Sequence, residues 1–295
     1  MLALLRLAVL AAVAGGVFVI GLMLWPAGRD PAPIELTGDV NRGAYLARAS
    51  GCIACHTDIS GGGAPLAGGA PLDTPFGAYY PPNLTTDPKH GIGDWRVEDF
   101  AKAVRQGVSP DGEPYFPTFT YPFYSNFSDQ DIADLWAAFQ TVPAVGEPAP
   151  AHEVAFPFNQ RWGMKLWRAA FLKPPETEPV DGRSATWNRG RELVEGASHC
   201  AACHTPRNLA GGRMSGAAFA GNEDLPGGDK APSILPDDLK ARGWTVDNLA
   251  FALRTGVMPD GDAFGGSMGE VVQGGTAFLS EEDLTAMAIY VLDAD

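Results

Sequence analysis

Cys52-Ile-Ala-Cys55-His56-Thr57 and, 148 residues later, Cys200-Ala-Ala-Cys203-His204-Thr205 together hold all four cysteines of this chain. Cys-x-x-Cys-His is the sequence to which haem is covalently attached, because two thiols one helical turn apart match the spacing of the haem vinyl groups. The histidine that follows then binds the iron as its proximal ligand. We therefore predict two haem c groups, and the residues that would hold them are Cys52, Cys55 and His56 in the first motif and Cys200, Cys203 and His204 in the second.

Three other uses of paired cysteines fit this sequence less well. In a zinc site two Cys-x-x-Cys pairs lie about 15–20 residues apart, whereas 144 residues separate Cys55 from Cys200. A thioredoxin-like redox motif needs a strand–helix–strand setting, which the flanking sequence does not indicate. Disulfides alone would not require a histidine at the same place in both motifs, so haem attachment is the prediction.

The two motifs belong to a longer internal repeat, which predicts two similar domains. Trp95 corresponds to Trp244 and Gly107 to Gly256, each pair 149 residues apart. The register drifts by only a few residues along the chain, which indicates a duplicated unit. Further matched pairs are Asn41-Arg42-Gly43 with Asn188-Arg189-Gly190, Pro82-Asn83-Leu84 with Pro232-Ser233-Ile234, and Ser128 with Ser280.

Helical periodicity dominates both halves, and the alternation typical of strands is not convincing. Ser128 and Ser280 each begin an S-x-x-D sequence, which caps the N-terminus of a helix. Middle helices near residues 97–106 and 246–254 end at Gly107 and Gly256, where a left-handed cap is expected. The apolar stripes of the closing helices comprise Ile132, Leu135, Trp136 and Phe139 in the first half and Leu284, Met287, Ala288 and Val291 in the second.

The composition limits the class of protein. The 295 residues include 36 glycines and 25 prolines, 45% are hydrophobic, and the net charge is −14. The glycine and proline excess indicates short helices joined by loops, which need a large apolar group such as haem to complete their core. The negative charge argues against a nucleic-acid partner. It either steers basic partners from a distance or serves solubility alone.

The N-terminal segment predicts a membrane-spanning helix. Residues 7–25 are uncharged, and a helix of this length spans roughly 28 Å, close to the hydrocarbon core of a bilayer. Trp25 would lie at the interface, and Pro26 would end the helix. A cleaved signal peptide is the alternative, although the apolar run is long for one. Both interpretations predict export, to the periplasmic side of a bacterial cytoplasmic membrane.

Residues 143–185 form a strap, rich in proline and aromatic residues, between the two halves. We expect Trp162, Leu166 and Phe171 to face a domain, so that the strap holds the domains together. A second hypothesis is that its cations neutralise carboxylates at the domain interface. These cations are Arg161, Lys165, Arg168 and Lys173.

A methionine downstream of the motif is a common sixth ligand in electron-transferring haem proteins. In the second half we favour Met268, which lies in a glycine-rich loop expected to be flexible, with Met258 in reserve. Met287 lies on the apolar stripe and is assigned to the core.

The sequence does not decide between several candidates for the sixth ligand of the first haem. No methionine occurs between Met23 and Met164, and the repeat places Phe119 where Met268 stands. His90, or a five-coordinate site with Phe119 over the distal face, ranks first. The other candidates are His152 and, from the strap, Met164. His199 is expected on the surface or beside a haem propionate.

Several segments resemble the membrane-associated cytochrome c subunits of bacterial alcohol dehydrogenases and related periplasmic oxidoreductases. The resemblance implies that the chain accepts electrons from a partner dehydrogenase and passes them to quinone or another cytochrome. Members often carry three haems, and some have methionine in place of Phe119, so this chain departs from the pattern twice. The matching segments include Arg42-Gly-Ala-Tyr45-Leu46, Thr74-Pro75-Phe76-Gly77, Phe156-Pro-Phe-Asn-Gln-Arg161, His199-Cys-Ala-Ala-Cys-His-Thr-Pro-Arg-Asn208 and Met268-Gly-Glu-Val-Val272.

Together these features predict an all-α fold, with two tandem cytochrome c-like domains that follow an N-terminal transmembrane helix. The predicted boundaries are 1–30 for the anchor or signal, 37–142 for the first domain, 143–185 for the strap and 186–295 for the second domain.

The predicted function is that of a membrane-anchored periplasmic dihaem electron carrier between a dehydrogenase and quinone, a downstream cytochrome or an oxidase. One alternative is a dihaem oxidoreductase whose open first haem binds a small substrate, although the sequence offers few acid–base groups for it. Another is a structural role, in which haem only holds the fold together.

Overall fold

Helices account for most of the ordered segments in the computed structural model, which describes residues 2–173, 176 and 178–295. Single-turn 3-10 segments occupy Cys200–Ala202, Ser215–Ala217, Pro226–Gly228 and Thr276–Phe278, and Glu192–Ala197 is a π-helical turn. The α-helices are α1 (Leu2–Leu24), α2 (Val40–Ala49), α3 (Cys52–Cys55), α4 (Val97–Gln106), α5 (Tyr121–Tyr124), α6 (Asp129–Phe139), α7 (Gly163–Phe171), α8 (Ala185–Arg191), α9 (Pro236–Ala241), α10 (Val246–Thr255), α11 (Gly266–Gly274) and α12 (Glu281–Leu292).

A small antiparallel sheet corrects the prediction of an all-α fold. It contains β1 (Leu72–Thr74), β2 (Gly77–Tyr79) and β3 (Glu153–Val154), with β2 in the middle. Strands of two or three residues are too short for alternation to be visible in the sequence. A side chain at Gly77 would place its Cβ 2.3 Å from the Glu153 carbonyl oxygen, so the close pairing of β2 and β3 requires glycine. The fold is therefore mostly helical, with one sheet.

Two pairs of helices cross at glycine in the same way. α2 packs on α6, and a Cβ at Gly43 would lie 1.9 Å from the Asp134 carbonyl oxygen. α8 packs on α12, and a Cβ at Gly190 would lie 2.0 Å from the Ala286 carbonyl oxygen. The absence of a side chain therefore allows the helix backbones to touch at both crossings.

The predicted apolar stripes form two hydrophobic clusters. Ile132, Leu135 and Phe139 of α6 are buried with α4, and Leu284 and Met287 of α12 are buried with α10 and the turn Glu192–Ala197. The assignment of Met287 to the core is confirmed. Ala288 is buried in the second cluster as well, and the last two stripe residues, Trp136 and Val291, are half-buried against the same clusters.

The predicted helix ends are confirmed. The Ser128 hydroxyl accepts a hydrogen bond from the Asp131 amide, and the Ser280 hydroxyl accepts one from the Asp283 amide. Gly107 and Gly256 end the middle helices with φ of +61° and +76°, in the left-handed region.

Asp283 joins the two halves of the chain. Its carboxylate accepts two hydrogen bonds from Arg189 and one of 2.6 Å from the Tyr45 hydroxyl. The Ser280 amide donates to the same Tyr45 hydroxyl. Burial alone would raise the pKa of Asp283, but hydrogen bonds from Arg189 and Tyr45 and the charge of Arg189 together lower it.

α1 begins five residues before the predicted span and ends at Leu24, just before Pro26. Among the described residues it is the one helix whose length and composition suit a membrane crossing, with a mean hydropathy of 2.6. None of α1 is buried in the protein, so it is not a core helix. A signal sequence would meet the same criteria of length and composition.

The cations of the connecting segment bind backbone carbonyls, which contradicts the hypothesis that they neutralise carboxylates. Arg161 donates to Pro114, Arg168 to Gln106, and Lys165 to three carbonyls at the end of α1. Lys173 is exposed. The expectation for Leu166 was wrong, because it is 46% exposed, whereas Trp162 and Phe171 are half-buried.

Candidate haem-attachment sites

The first motif is a single helical turn that orients a histidine. α3 starts after Gly51, which has a φ of +66°, and the His56 amide donates to the Cys52 carbonyl. His56 Nδ1 lies 2.8 Å from the Pro82 carbonyl oxygen. A carbonyl can only accept, so Nδ1 carries the proton and Nε2 keeps the lone pair that binds a metal.

The second motif repeats this geometry. The turn Cys200–Ala202 is followed by a hydrogen bond from the His204 amide to the Cys200 carbonyl. His204 Nδ1 lies 2.7 Å from the Pro232 carbonyl oxygen. Both predicted iron ligands therefore have the same hydrogen bond at Nδ1 and the same free Nε2.

The loop behind each motif is held by its threonine. The Thr57 hydroxyl accepts from the Leu66 amide at 3.0 Å, and the Thr205 hydroxyl accepts from the Phe219 amide at 3.1 Å. Leu66 and Phe219 both adopt the left-handed conformation, with φ of +61° and +62°. Neither the threonines nor the two prolines were assigned a role from the sequence. Their signal was present, since Pro82 and Pro232 correspond in the repeat.

The two motifs lie against each other at the contact between the halves. A Cβ at Gly274 of α11 would lie 2.7 Å from Ala54 Cβ in the first motif. In return, Ala201 and Ala202 of the second motif are buried against α5. Desolvation, the nearby Cys203 thiol and the Glu270 carboxylate all raise the pKa of Cys55, to about 11. The attachment positions of the two predicted haems are thus neighbours.

Burial also shifts the pKa values of two further motif cysteines and of His56. It raises the pKa of the Cys52 and Cys200 thiols to about 12, with the neighbouring cysteine of each motif adding to the shift. It lowers the pKa of His56 to about 4, although the bond to Pro82 acts in the opposite direction. At neutral pH the imidazole is therefore uncharged, the form that binds iron.

A cavity of about 250 Å³ beside the second motif is lined by Phe123, Thr205, Arg207, Arg213 and Phe219, among others. Burial and the charge of Arg207 lower the pKa of Arg213 to about 10. Among the described residues, neither Arg207 nor Arg213 pairs with a carboxylate. Arg213 is half-buried, and a partly desolvated cation favours a counter-charge close by. The two propionate groups of a haem would supply it, so the residues present fit the predicted cofactor.

His199 corrects the expectation of a surface position. It is half-buried between the halves, with its ring 6.0 Å from those of Phe123 and Tyr124 and its Nε2 3.3 Å from a Cβ built at Gly51. Burial lowers its pKa. The nearby Tyr124 hydroxyl donates to the Ser50 carbonyl, beside the first motif.

Met268 does not lie in a flexible loop, as expected, but in the first turn of α11. It packs against the hydrophobic cluster of the second half. The next residue towards the N-terminus, Ser267, donates two hydrogen bonds to Asp229 Oδ2, which anchors the start of α11. Met258 is half-buried after α10.

The candidates for the sixth ligand of the first haem lie in different places. His90 is half-buried on a turn where its amide donates to Asp87, and His152 is exposed and accepts at Nδ1 from the Tyr80 amide. Phe119 lies two residues before α5, with its ring 6.0 Å from those of Tyr115 and Tyr124. The remaining candidate, Met164, is half-buried in α7.

Comparison with known proteins agrees with these features. The sequence profile of the family described as Cytochrome c matches residues 40–139. The chain is 39% identical over 276 residues to the protein of Cereibacter sphaeroides named diheme cytochrome c-type, and the match covers 91% of both chains.

Longer proteins are similar as well. The gluconate 2-dehydrogenase cytochrome c subunit of Pantoea cypripedii is 39% identical over 85% of this chain, and the cytochrome c subunit of the quinone alcohol dehydrogenase of Gluconobacter oxydans is 37% identical over 92%. This chain spans only 58% of the length of each. Relatives named as cytochrome c subunits of dehydrogenases are consistent with a role in electron transfer.

Proposed function

This chain belongs to the cytochrome c family, and we propose that it is a dihaem electron carrier that takes electrons from a partner dehydrogenase and passes them to quinone or another cytochrome. The observation that carries the proposal is the equivalent setting of the two motifs. In each, a proline carbonyl holds the histidine Nδ1, at 2.8 Å for His56 and 2.7 Å for His204. Haem supplies one-electron chemistry, and this chain would hold two haem groups side by side.

The proposed haem domains are residues 37–142 and 186–295, with 143–185 as the connecting strap. The family profile matches the first of them. The second is supported by repeated interactions: the glycine crossings at Gly43 and Gly190, and the threonine bonds at Thr57 and Thr205. Chance is a poor explanation for a correspondence that extends to single hydrogen bonds.

Met268 is the proposed sixth ligand of the second haem. Its place in a helix anchored through Ser267 and Asp229 gives it a defined position, which suits the permanent ligand of an electron carrier. For the first haem we propose His90 or an open site.

Membrane attachment through α1 and a periplasmic location are further parts of the proposal. They rest on the apolar, unburied α1. A dehydrogenase partner is supported by relatives named as cytochrome subunits of gluconate, alcohol and fructose dehydrogenases. The proposed acceptors, quinone or a cytochrome, follow from the one-electron chemistry of haem.

The test is the number of covalent haems and their redox activity. The full chain, expressed with the c-type maturation machinery, should carry two haems by mass spectrometry and by the pyridine haemochrome spectrum. Cys203→Ser should keep the first haem intact and impair attachment at the second, and Cys55→Ser should do the reverse. Fewer than two covalent haems in the unmodified chain would overturn the proposal.

A further inference from the structure

The end of the apolar helix is fixed to the rest of the molecule. Lys165 Nζ of α7 donates to the carbonyls of Leu22, Met23 and Trp25 at 3.0, 2.8 and 2.6 Å. These are the last carbonyls of α1 and the one just beyond it, which have no partner within the helix. A cation is also favourable at this negative end of the helix dipole.

The chain that leaves α1 is held as well. Arg29 and Gln106 exchange two hydrogen bonds, from the Arg29 amide and to the Arg29 carbonyl, at 2.9 and 2.8 Å. Asp30 pairs with Lys102 of α4 at 2.9 Å. α1 is therefore joined to α4 and α7 without a free linker, and the side of the molecule near α7 lies where α1 ends.

Large apolar side chains are exposed on this side. Leu209 is fully exposed, and Phe156 is 77% exposed. Phe158, Leu166 and Trp25 are also exposed. We call these five residues the apolar rim. Single exposed apolar residues are common, but a group of them marks an interaction surface.

Contacts around α7 join the rim residues into one region. The Phe158 ring lies 5.0 Å from that of Phe76, and a Cβ at Gly211 would lie 3.3 Å from the Phe76 ring. Trp167 Nε1 of α7 donates to the Ala210 carbonyl at 3.0 Å. Leu209 thus stands in a loop that Trp167 of α7 and Phe76 both contact.

The charge of the region is opposite to that of the protein. Residues 155–173 contain four basic residues and no Asp or Glu, in a chain with a net charge of −14. Basic residues with aromatic and leucine side chains are typical of segments that lie at the surface of an anionic bilayer. The rest of the acidic molecule would be repelled by that surface.

We propose that the apolar rim lies in the interface of the bilayer that α1 enters, with the positively charged segment 155–173 facing anionic lipid headgroups. The occupant is a lipid surface, since the rim continues directly from the end of α1. The inference rests on the proposed membrane attachment. To that attachment the inference adds a fixed orientation, in which the loop that carries Arg207 and Arg213 faces the membrane.

The test uses the full-length holoprotein in nanodiscs that contain anionic lipid. Spin labels are placed singly at Phe156→Cys and Leu209→Cys, because the four native cysteines are taken up by haem. Phe251→Cys, a 56% exposed site on α10, is the matched control. Collision of each label with oxygen, which enriches in lipid, and with a water-soluble nickel chelate is measured on the oxidised holoprotein.

The measured quantity is the ratio of collisions with oxygen to collisions with the chelate. We expect this ratio to be several-fold higher for the labels at 156 and 209 than for the label at 251. Equal ratios at all three sites overturn the proposal. Co-elution with nanodiscs tests the attachment by α1 separately, so the two failures are distinguishable. If the rim labels are in water until a partner protein is added, the rim is a protein-binding surface and the lipid proposal is wrong.

The lipid composition tests the role of charge. With zwitterionic lipid alone, the oxygen preference at 156 and 209 should fall, while the control at 251 does not change. A preference that is independent of anionic lipid overturns the role proposed for the positive charge of residues 155–173.

Discussion

The two motif histidines are oriented by carbonyls that lie 26 and 28 residues further along the chain. The sequence identified His56 and His204, because Cys-x-x-Cys-His specifies its chemistry locally. It did not identify the roles of Pro82 and Pro232, since a backbone acceptor leaves no side-chain signature. The same holds for Arg213, whose burial beside Phe123 depends on a contact between the halves.

At the residue scale, the first prediction concerns Met268. Met268→Leu removes the thioether but keeps the apolar volume in α11, so the fold should persist. We expect the second haem to lose the near-infrared band of methionine-ligated iron, and its potential to fall, because methionine ligation raises it. Magnetic circular dichroism and a redox titration measure both. Met258→Leu, the control, should change neither; a reversed result would make Met258 the ligand.

The second prediction concerns the half-buried cation Arg213. A positive charge near a haem favours the reduced form, so Arg213→Gln should lower the potential of the second haem by tens of millivolts, where about 59 mV corresponds to 1.4 kcal/mol. The first haem should be much less affected. Arg96→Gln, on the exposed start of α4, serves as control. Equal shifts in the two variants would show that Arg213 has no specific role.

At the scale of elements, long periodic helices were predictable and short or context-dependent elements were not. The stripes of α6 and α12 and the capping serines follow from local sequence. β3 depends on pairing with β2 across more than 70 residues, and β1 and β2 form a local hairpin too short for alternation to be visible. α11 was taken for a loop because its glycines disfavour a helix, and the Asp229 cap that starts it lies far away in sequence.

The glycine crossings give an element-scale prediction. In Gly43→Ala the new Cβ would lie 1.9 Å from a backbone oxygen of α6, so the helices must separate. We expect a loss of about 3 kcal/mol in the free energy of unfolding, measured with urea on the detergent-solubilised holoprotein. At Gly163 nothing lies within 4 Å, and Gly163→Ala should be neutral or slightly stabilising. Similar values for both variants would contradict the crossing argument.

At the scale of the whole molecule, the halves are joined through a titratable group. The pKa of Asp283 is lowered in the folded chain, so its ionised form stabilises the fold. This stabilisation is fully present above the ordinary carboxyl pKa of about 4. It is lost as the pH falls from there through the folded pKa. Tyr45→Phe should cost about 2 kcal/mol at pH 7.

The cost of Tyr45→Phe should shrink below pH 4, as Asp283 becomes protonated. Thermal unfolding at pH 7 and pH 3 measures the difference. Tyr80→Phe makes the same change at a hydroxyl bound to the exposed Glu153, and should have little effect at either pH. A cost for Tyr45→Phe that does not vary with pH would mean that the charge of Asp283 is not involved.

The net charge of −14 belongs to the same scale. If it steers a basic electron-transfer partner, the bimolecular rate should fall several-fold between about 10 and about 300 mM salt, as the screening length shortens. Stopped-flow reduction of the holoprotein measures this rate, with an uncharged reductant as control. A rate with the partner that does not change with salt would leave the charge with a role in solubility alone.

The bond from Tyr45 to Asp283 spans 238 positions, and so it also orders events in time. The ribosome releases the first motif while the chain that will cover it is still unmade. α12, which carries Asp283, is synthesised long after the first motif. The first half must therefore pass through a period in which Tyr45 has no carboxylate and the face beside Cys55 is open. Closing so long a loop is slow in comparison with forming local helices. That interval leaves the first motif accessible to an attachment enzyme, and the docking of α12 brings it to an end.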